Sequence, residues 1–237
     1  MNKKISALIG FAFFSLTSLS ANAAIIGLYD WGVNIDGTVS EIGLLGDPIP
    51  GSVDVSGFNQ TSGLGRIDIF FSGAGAHNAL TFVDHEIDEA INTFFNENGT
   101  SSGGALGAGQ TAEIDEPGFV FGDIYNNFLN NSLDNTNSLL PGNEDDVSMA
   151  IGWDFTLGAD EVAVASFFTS LTNDSGGLFT LEQNDPDSSP VGAQGGTSIF
   201  FWSDLDIGPA GLPEPGTLGL ALFGMLSAFG LRRRKLQ

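Results

Sequence analysis

Val147-Ser-Met-Ala-Ile-Gly-Trp-Asp-Phe155 decides the fold class. Val147, Met149, Ile151, Trp153 and Phe155 alternate with Ser148, Ala150, Gly152 and Asp154, so large apolar side chains fall on one side of an extended chain. Period two is the mark of a half-buried strand. Glu161 to Phe168 follows after the short turn Leu157-Gly-Ala-Asp160, and the two segments are expected to pair as a hairpin. Further strands are expected at Ile25 to Val33, Val39 to Leu44, Arg66 to Phe71, Ala79 to Val83, Leu178 to Leu181 and Thr197 to Ile207, with a turn at Asn34 to Gly37. The 33 glycines and 20 phenylalanines, with Asn, Asp, Ser and Thr at short intervals, favour short strands joined by turns. These features predict a mainly β protein, a β-sandwich of jelly-roll type.

The middle of the chain reads differently. Glu86-Ile-Asp-Glu89 is echoed twenty-seven residues later by Glu113-Ile-Asp-Glu116. Ile87, Ala90, Ile91, Phe94 and Phe95 fit a helical face, as do Ile124, Tyr125, Phe128, Leu129 and Leu133 after Asp123 as an N-cap. One or two short inserted helices are therefore expected, with Gly99 to Gly109 as a flexible loop between them.

Both ends describe transport. Lys3 and Lys4 precede the apolar run Ile5 to Leu19, and Ala21-Asn22-Ala23 satisfies the small-x-small rule for a cut ahead of Ala24, so residues 1–23 are expected to be a secretory signal peptide. The body is expected to occupy residues 24–209, and residues 210–237 form a tail. Within the tail, Pro213-Glu214-Pro215 resists helix, the uncharged run 216–231 can enter a bilayer, and Arg232, Arg233, Arg234 and Lys235 stop it on the cytoplasmic side. At sixteen residues and ~1.5 Å each, the run spans about 24 Å, short of a full ~30 Å hydrocarbon core. Transient retention suits it better than permanent anchoring.

The order Leu212-Pro-Glu-Pro-Gly-Thr-Leu218, apolar helix, Arg-Arg-Arg-Lys resembles the PEP-CTERM sorting signal of Gram-negative bacteria. The resemblance implies export across the inner membrane, transient residence there, and processing near the triplet by exosortase, a transpeptidase-like membrane protease of organisms that make exopolysaccharide. The body resembles those of other exported proteins with this tail, in Asp146-Val-Ser-Met-Ala-Ile-Gly-Trp-Asp-Phe155 and Phe200-Phe-Trp-Ser-Asp-Leu-Asp-Ile207. No biochemical activity comes with that likeness.

Charge narrows the partners. Arg66 is the only basic residue between Ala24 and Leu212, against twenty-eight acidic ones, so the body carries a formal charge of −27. Nucleic acid is excluded as a partner, because its phosphates would be repelled. Cations, water and neutral polymers are favoured instead. Calcium, a hard oxygen-seeking ion, is the expected candidate at Glu86, Asp88 and Glu89, at Glu113, Asp115 and Glu116, and at Asp145 and Asp146, although no EF-hand loop is present. Cysteine is absent, which excludes disulfides and thiolate chemistry.

No catalytic residues are assigned. His85-Glu86 lacks the second histidine of a zincin, since position 89 is Glu, and His77 lies eight residues upstream. Gly99-Thr-Ser-Ser-Gly103 matches a nucleophile elbow in letters only, for no apolar strand precedes it. The expectation is a non-enzymatic exported module of the envelope or extracellular matrix, with a structural or adhesive role associated with exopolysaccharide. A secreted carbohydrate-active enzyme, or a lectin-like module binding sugar and calcium, is the alternative. Trp31 and Trp202 are read as core residues rather than sugar platforms.

Overall fold

A computed structural model describes residues 25–89, 93–118, 120–187 and 196–210. The expected signal peptide, and the expected tail from residue 211 onward, lie outside the described residues. Among the described residues no helix is long and apolar enough to cross a membrane.

The protein is mainly β, with two antiparallel sheets packed face to face. In chain order the strands are β1 (Ile26–Ile35), β2 (Thr38–Glu41), β3 (Val53–Asn59), β4 (Leu64–Ser72), β5 (Gly75–Ile87), β6 (Asn98–Ser102), β7 (Gln110–Asp115), β8 (Ser148–Leu157), β9 (Glu161–Ser170), β10 (Thr180–Asp185) and β11 (Thr197–Pro209). The first sheet runs β2-β1-β5-β8-β7 and the second β3-β4-β9-β11-β10-β6. Val33, Val83, Ile114, Met149 and Ile151 from the first sheet meet Ile67, Ile69, Phe167, Ile199 and Phe201 from the second in one buried core. At ~25 cal/mol per Å² of apolar surface, that seam is the main stabilising contribution in a chain without disulfides.

The deciding stretch is β8, but its setting is richer than alternation predicts. Val147, Met149 and Ile151 face the main core, as expected. Ser148, Ala150 and Gly152 on the opposite face are buried too. A helix α1 (Ile124–Leu129) lies over that face, and Ile124, Phe128 and Leu133 form a second apolar cluster with Leu80, Phe82 and Ala150. The small residues of β8 leave room for this cover.

The expected hairpin between the deciding stretch and Glu161 to Phe168 does not form. β8 pairs with β5 and β7, whereas β9 pairs with β4 and β11, so the chain crosses from one sheet to the other after Leu157. Both strands bury one face against the same core, and two sheets satisfy that burial as well as one. The turn expected at Asn34 to Gly37 narrows to Asp36-Gly37, because Asn34 and Ile35 stay in β1, paired with Val39 and Thr38. Asp36 and Gly37 both take positive φ, +51° and +76°, the backbone an Asp-Gly two-residue hairpin between β1 and β2 requires.

Other expectations need correction. Ile87 belongs to no helix; it closes β5, pairs with Ile26, and is buried in the core. Phe94–Asn96 forms only a 3-10 turn, capped by Thr93 Oγ1, and residues 90–92 lie outside the described set. The ladder to β1 wins over helical periodicity because it satisfies the backbone and buries Ile87 at once. The helix after Asp123 exists but stops at Leu129, and the Asp123 side chain makes no capping bond. Gly99 to Ser102 is not loop but part of β6, paired with β10. A Cβ at Gly99 would lie 2.4 Å from Ile114 Cγ2, so the glycine marks close approach rather than freedom. β3 and β7 had no predicted counterpart; in β7, acidic Glu113 and Asp115 hide the alternation.

Candidate acidic and aromatic pocket

One end of the sandwich gathers residues far apart in the chain. The start of β1 supplies Tyr29, the end of β5 supplies Glu86 and the turn after it Glu89, the segment after β7 supplies Glu116, Pro117, Val120 and Phe121, and the turn before β8 supplies Asp145 and Asp146. With Phe94 and Phe95 from the 3-10 turn they line an open pocket of about 570 Å³. That is the size class of small-ligand pockets.

Backbone pairing explains the convergence. β5 and β8 run antiparallel with Asp84 opposite Ser148, so the end of one lies beside the start of the other. β7 and β8 match Asp115 with Ser148, which carries Glu116 to the same edge. Glu97 joins the 3-10 turn to the acidic turn: its carbonyl accepts the Asp145 N–H at 3.0 Å. Asp115 holds the remaining wall, accepting the Asp123 N–H at 2.7 Å and the Ser138 hydroxyl.

Five of the eight calcium candidates therefore meet: Glu86, Glu89, Glu116, Asp145 and Asp146. The other three do not line the pocket. Asp88 accepts the Ile25 N–H, Asp115 is used as just described, and Glu113 lies beneath α1, where it accepts from the Asn127 amide at 3.0 and 3.2 Å and from the Asp134 N–H at 3.1 Å. Among the described residues, Glu113, Asp123 and Asp134 are the trio whose oxygens approach within 4.8 Å of one another. Internal hydrogen bonds already occupy Glu113. The five pocket carboxylates are spread more widely than that, so they form no ready cage for a single ion.

Their electrostatics follow from burial without cations. Burial, then the nearby Asp146 and Glu89, push the Glu86 carboxyl up to about 7. Asp146 rises to about 6 through burial and the charges of Asp145, Glu116 and Glu89. Glu116 is raised as well, by burial first and then by Asp145 and Asp115. Behind the pocket, burial lifts Glu97 to about 9; its bonds from the Gln183 amide and the Ile87 N–H pull the other way without matching that effect. Glu86 Oε2 and Asp146 Oδ1 are buried atoms with no hydrogen-bond partner. Arg66, the body's one cation, is engaged elsewhere, with Asp68 at 2.7 Å and over the Phe168 ring.

The apolar half of the pocket was not foreseen. Val120, Phe121, Phe95 and Tyr29 are all more than half exposed, against the tendency of such side chains to be inside. The sequence signal is two bulky apolar pairs beside two acidic segments; Phe94 and Phe95 fit a helical face there, and Val120 and Phe121 carry no periodicity that marks a site. The two tryptophans behave as expected: Trp31 is core, and Trp202 stacks at 5.4 Å on Phe168 with its ring mostly covered.

The histidines form no joint site. Both lie on β5, about 26 Å apart at ~3.3 Å per residue. His77 binds Asp36 and the Gly73 carbonyl. His85 is fully buried, donates Nε2–H to the Gly63 carbonyl at 3.1 Å, and is pushed down to about 4 by burial, which keeps it neutral. Ser101 lies within β6, not on an elbow.

No protein-family model, curated protein or solved structure matches the chain.

Proposed function

We propose that this chain is an exported, exosortase-processed protein of the envelope or extracellular matrix, whose jelly-roll-like body binds a neutral sugar of the matrix at the acidic and aromatic pocket. The meeting of five carboxylates with exposed Tyr29, Phe95 and Phe121 in a pocket of about 570 Å³ carries this reading. Exposed rings offer faces for the C–H side of a sugar, and carboxylates accept from its hydroxyls. Spread oxygens suit several hydroxyls better than one ion. The formal charge of −27 turns away anionic polymers. Calcium enters as a secondary ligand that relieves carboxylate repulsion.

Calorimetric titration with cello-, malto-, galacto- and chito-tetraose tests the pocket. At least one is expected to bind, and Phe121→Ala, Phe95→Ala or Asp146→Asn to weaken it about tenfold, with folding unchanged for the two exposed Phe sites. No heat with any of the four sinks the sugar reading. Release of new reducing ends during the titration favours the second reading, a carbohydrate-active enzyme, which the raised Glu86 beside other carboxylates supports as a general acid.

Sorting has its own test. Replacing Pro213, Glu214 and Pro215 with alanine is expected to leave export intact and to block maturation, read as the intact mass of the protein from its host. Unchanged processing overturns the sorting reading.

A further inference from the structure

β1 starts next to the expected leader cut, and its first described residue is clamped from both sides. The Ile25 N–H donates to Asp88 Oδ1 at 2.5 Å, and the Ile25 carbonyl accepts the Asp88 N–H at 2.8 Å. The clamp adds one rung beyond the Ile26–Ile87 pair of the β1–β5 ladder. Asp88 itself leaves the strand conformation, with φ at +56°, a left-handed backbone that Asp tolerates better than most residues. That bend brings its side chain back over the start of β1.

Asp88 is 2 % exposed, and its second carboxylate oxygen, Oδ2, is buried with no hydrogen-bond partner. A buried carboxylate oxygen without a partner is costly, and buried charges are ordinarily paired. The sequence offers no side chain for the task, because Arg66 is the only basic residue of the body and is bound to Asp68 on the other sheet.

We propose that Asp88 is the receiving site for the α-ammonium of Ala24, which exists only after the leader has been removed. The inference rests on the reading of residues 1–23 as a signal peptide. Hydrolysis adds water across the Ala23–Ala24 peptide bond: Ala23 leaves with a carboxylate, and the Ala24 nitrogen, formerly an uncharged amide, becomes –NH₃⁺. That nitrogen is three covalent bonds from the Ile25 nitrogen and therefore within about 3.7 Å of it. A carboxylate holding the Ile25 N–H with one oxygen can reach the ammonium with the other. Glu86 and Glu89 lie on the same segment as Asp88, and no Lys or Arg side chain of the body competes with the new charge for it. Cleavage then fastens the start of β1, the strand that carries Tyr29 into the pocket.

The test uses full-length protein exported by its host and compares it with Asp88→Asn and with a variant carrying Gly-Gly between Ala23 and Ala24. Intact mass fixes the N-terminus, and reductive methylation with ¹³C-formaldehyde followed by NMR titrates the α-amine. In the wild type the amine is expected to titrate above the usual range of about 7.7–8.0 and to react about tenfold more slowly at pH 8. Both variants should restore ordinary reactivity. The insertion keeps Asp88, so it answers even if the Asn variant does not fold. An ordinary titration in a chain that starts at Ala24 overturns the pairing alone. A different N-terminus by mass overturns the leader reading and the pairing with it.

Discussion

Phe128→Ala is expected to lower stability by about 3–5 kcal/mol, the usual cost of emptying a fully buried phenylalanine site. For a body of this size that corresponds to a fall in Tm of roughly 10 °C. The Phe128 ring lies 5.6 Å from Phe82 and 6.3 Å from Tyr125, in the small cluster that fastens α1 to the first sheet. Its carbonyl and that of Leu129 accept from the Asn34 amide at 2.8 and 3.2 Å, which satisfies the end of a helix too short to stand alone. α1 also carries Asn127, whose amide serves buried Glu113, so a loosened helix leaves a carboxyl without its donors as well as a cavity. Phe121→Ala provides the contrast: the same chemistry at an exposed site should change stability by no more than about 0.5 kcal/mol. Thermal unfolding followed by circular dichroism decides. Equal effects at the two positions would mean that α1 is not anchored through Phe128.

The second large effect is on pH. Stability is expected to fall as pH rises from 5 to 9, by on the order of 3 kcal/mol, or roughly 10 °C in Tm. Two buried carboxyls lead: Asp84, held well above its ordinary range by burial and then by the charge of Asp146, and Glu97. The ordinary Glu97 value of 4.5 rises to about 9 in the folded protein, so the folded state holds a proton that the unfolded chain gives up. The stability from that proton is fully present below pH 4.5 and is lost as pH climbs toward 9. Glu113, raised to about 7 chiefly by burial, acts in the same sense, and half-buried Glu86 and Asp146 add smaller, solvent-screened amounts. His85 opposes them: its folded value of about 4 lies below the ordinary 6.5, so its contribution is lost as pH falls through that interval. Asp30, Glu41 and Glu116, also raised chiefly by burial, act in the carboxyl sense, which stays in control down to about pH 5. Glu97→Gln keeps the shape and a hydrogen-bonding head without a titrating proton, and should make the slope clearly shallower while Asp84 keeps its share. A Tm that is constant or rising from pH 5 to 9, or a slope unchanged in the variant, would remove Glu97 as its source.

The sequence by itself determined the β character, because alternation along Val147 to Phe155 and the Asp36-Gly37 turn are local consequences of backbone geometry. Strand positions from Ile25 to Val33 and from Thr197 to Ile207 followed for the same reason. Charge was legible as well, and Glu86, Glu89, Glu116, Asp145 and Asp146 were all named from it. Only the tertiary structure decided that β8 and β9 lie in different sheets, since period two shows which face is buried and not which strand lies alongside. It also decided that Ile87 ends a strand, because a ladder to β1 outweighs helical spacing once both partners are present. The pocket is of the same kind. Its carboxylates come from segments up to sixty residues apart and its rings from pairs that looked like core. Nothing in their spacing brings them together except the antiparallel pairing of β5, β7 and β8, which a one-dimensional pattern does not contain.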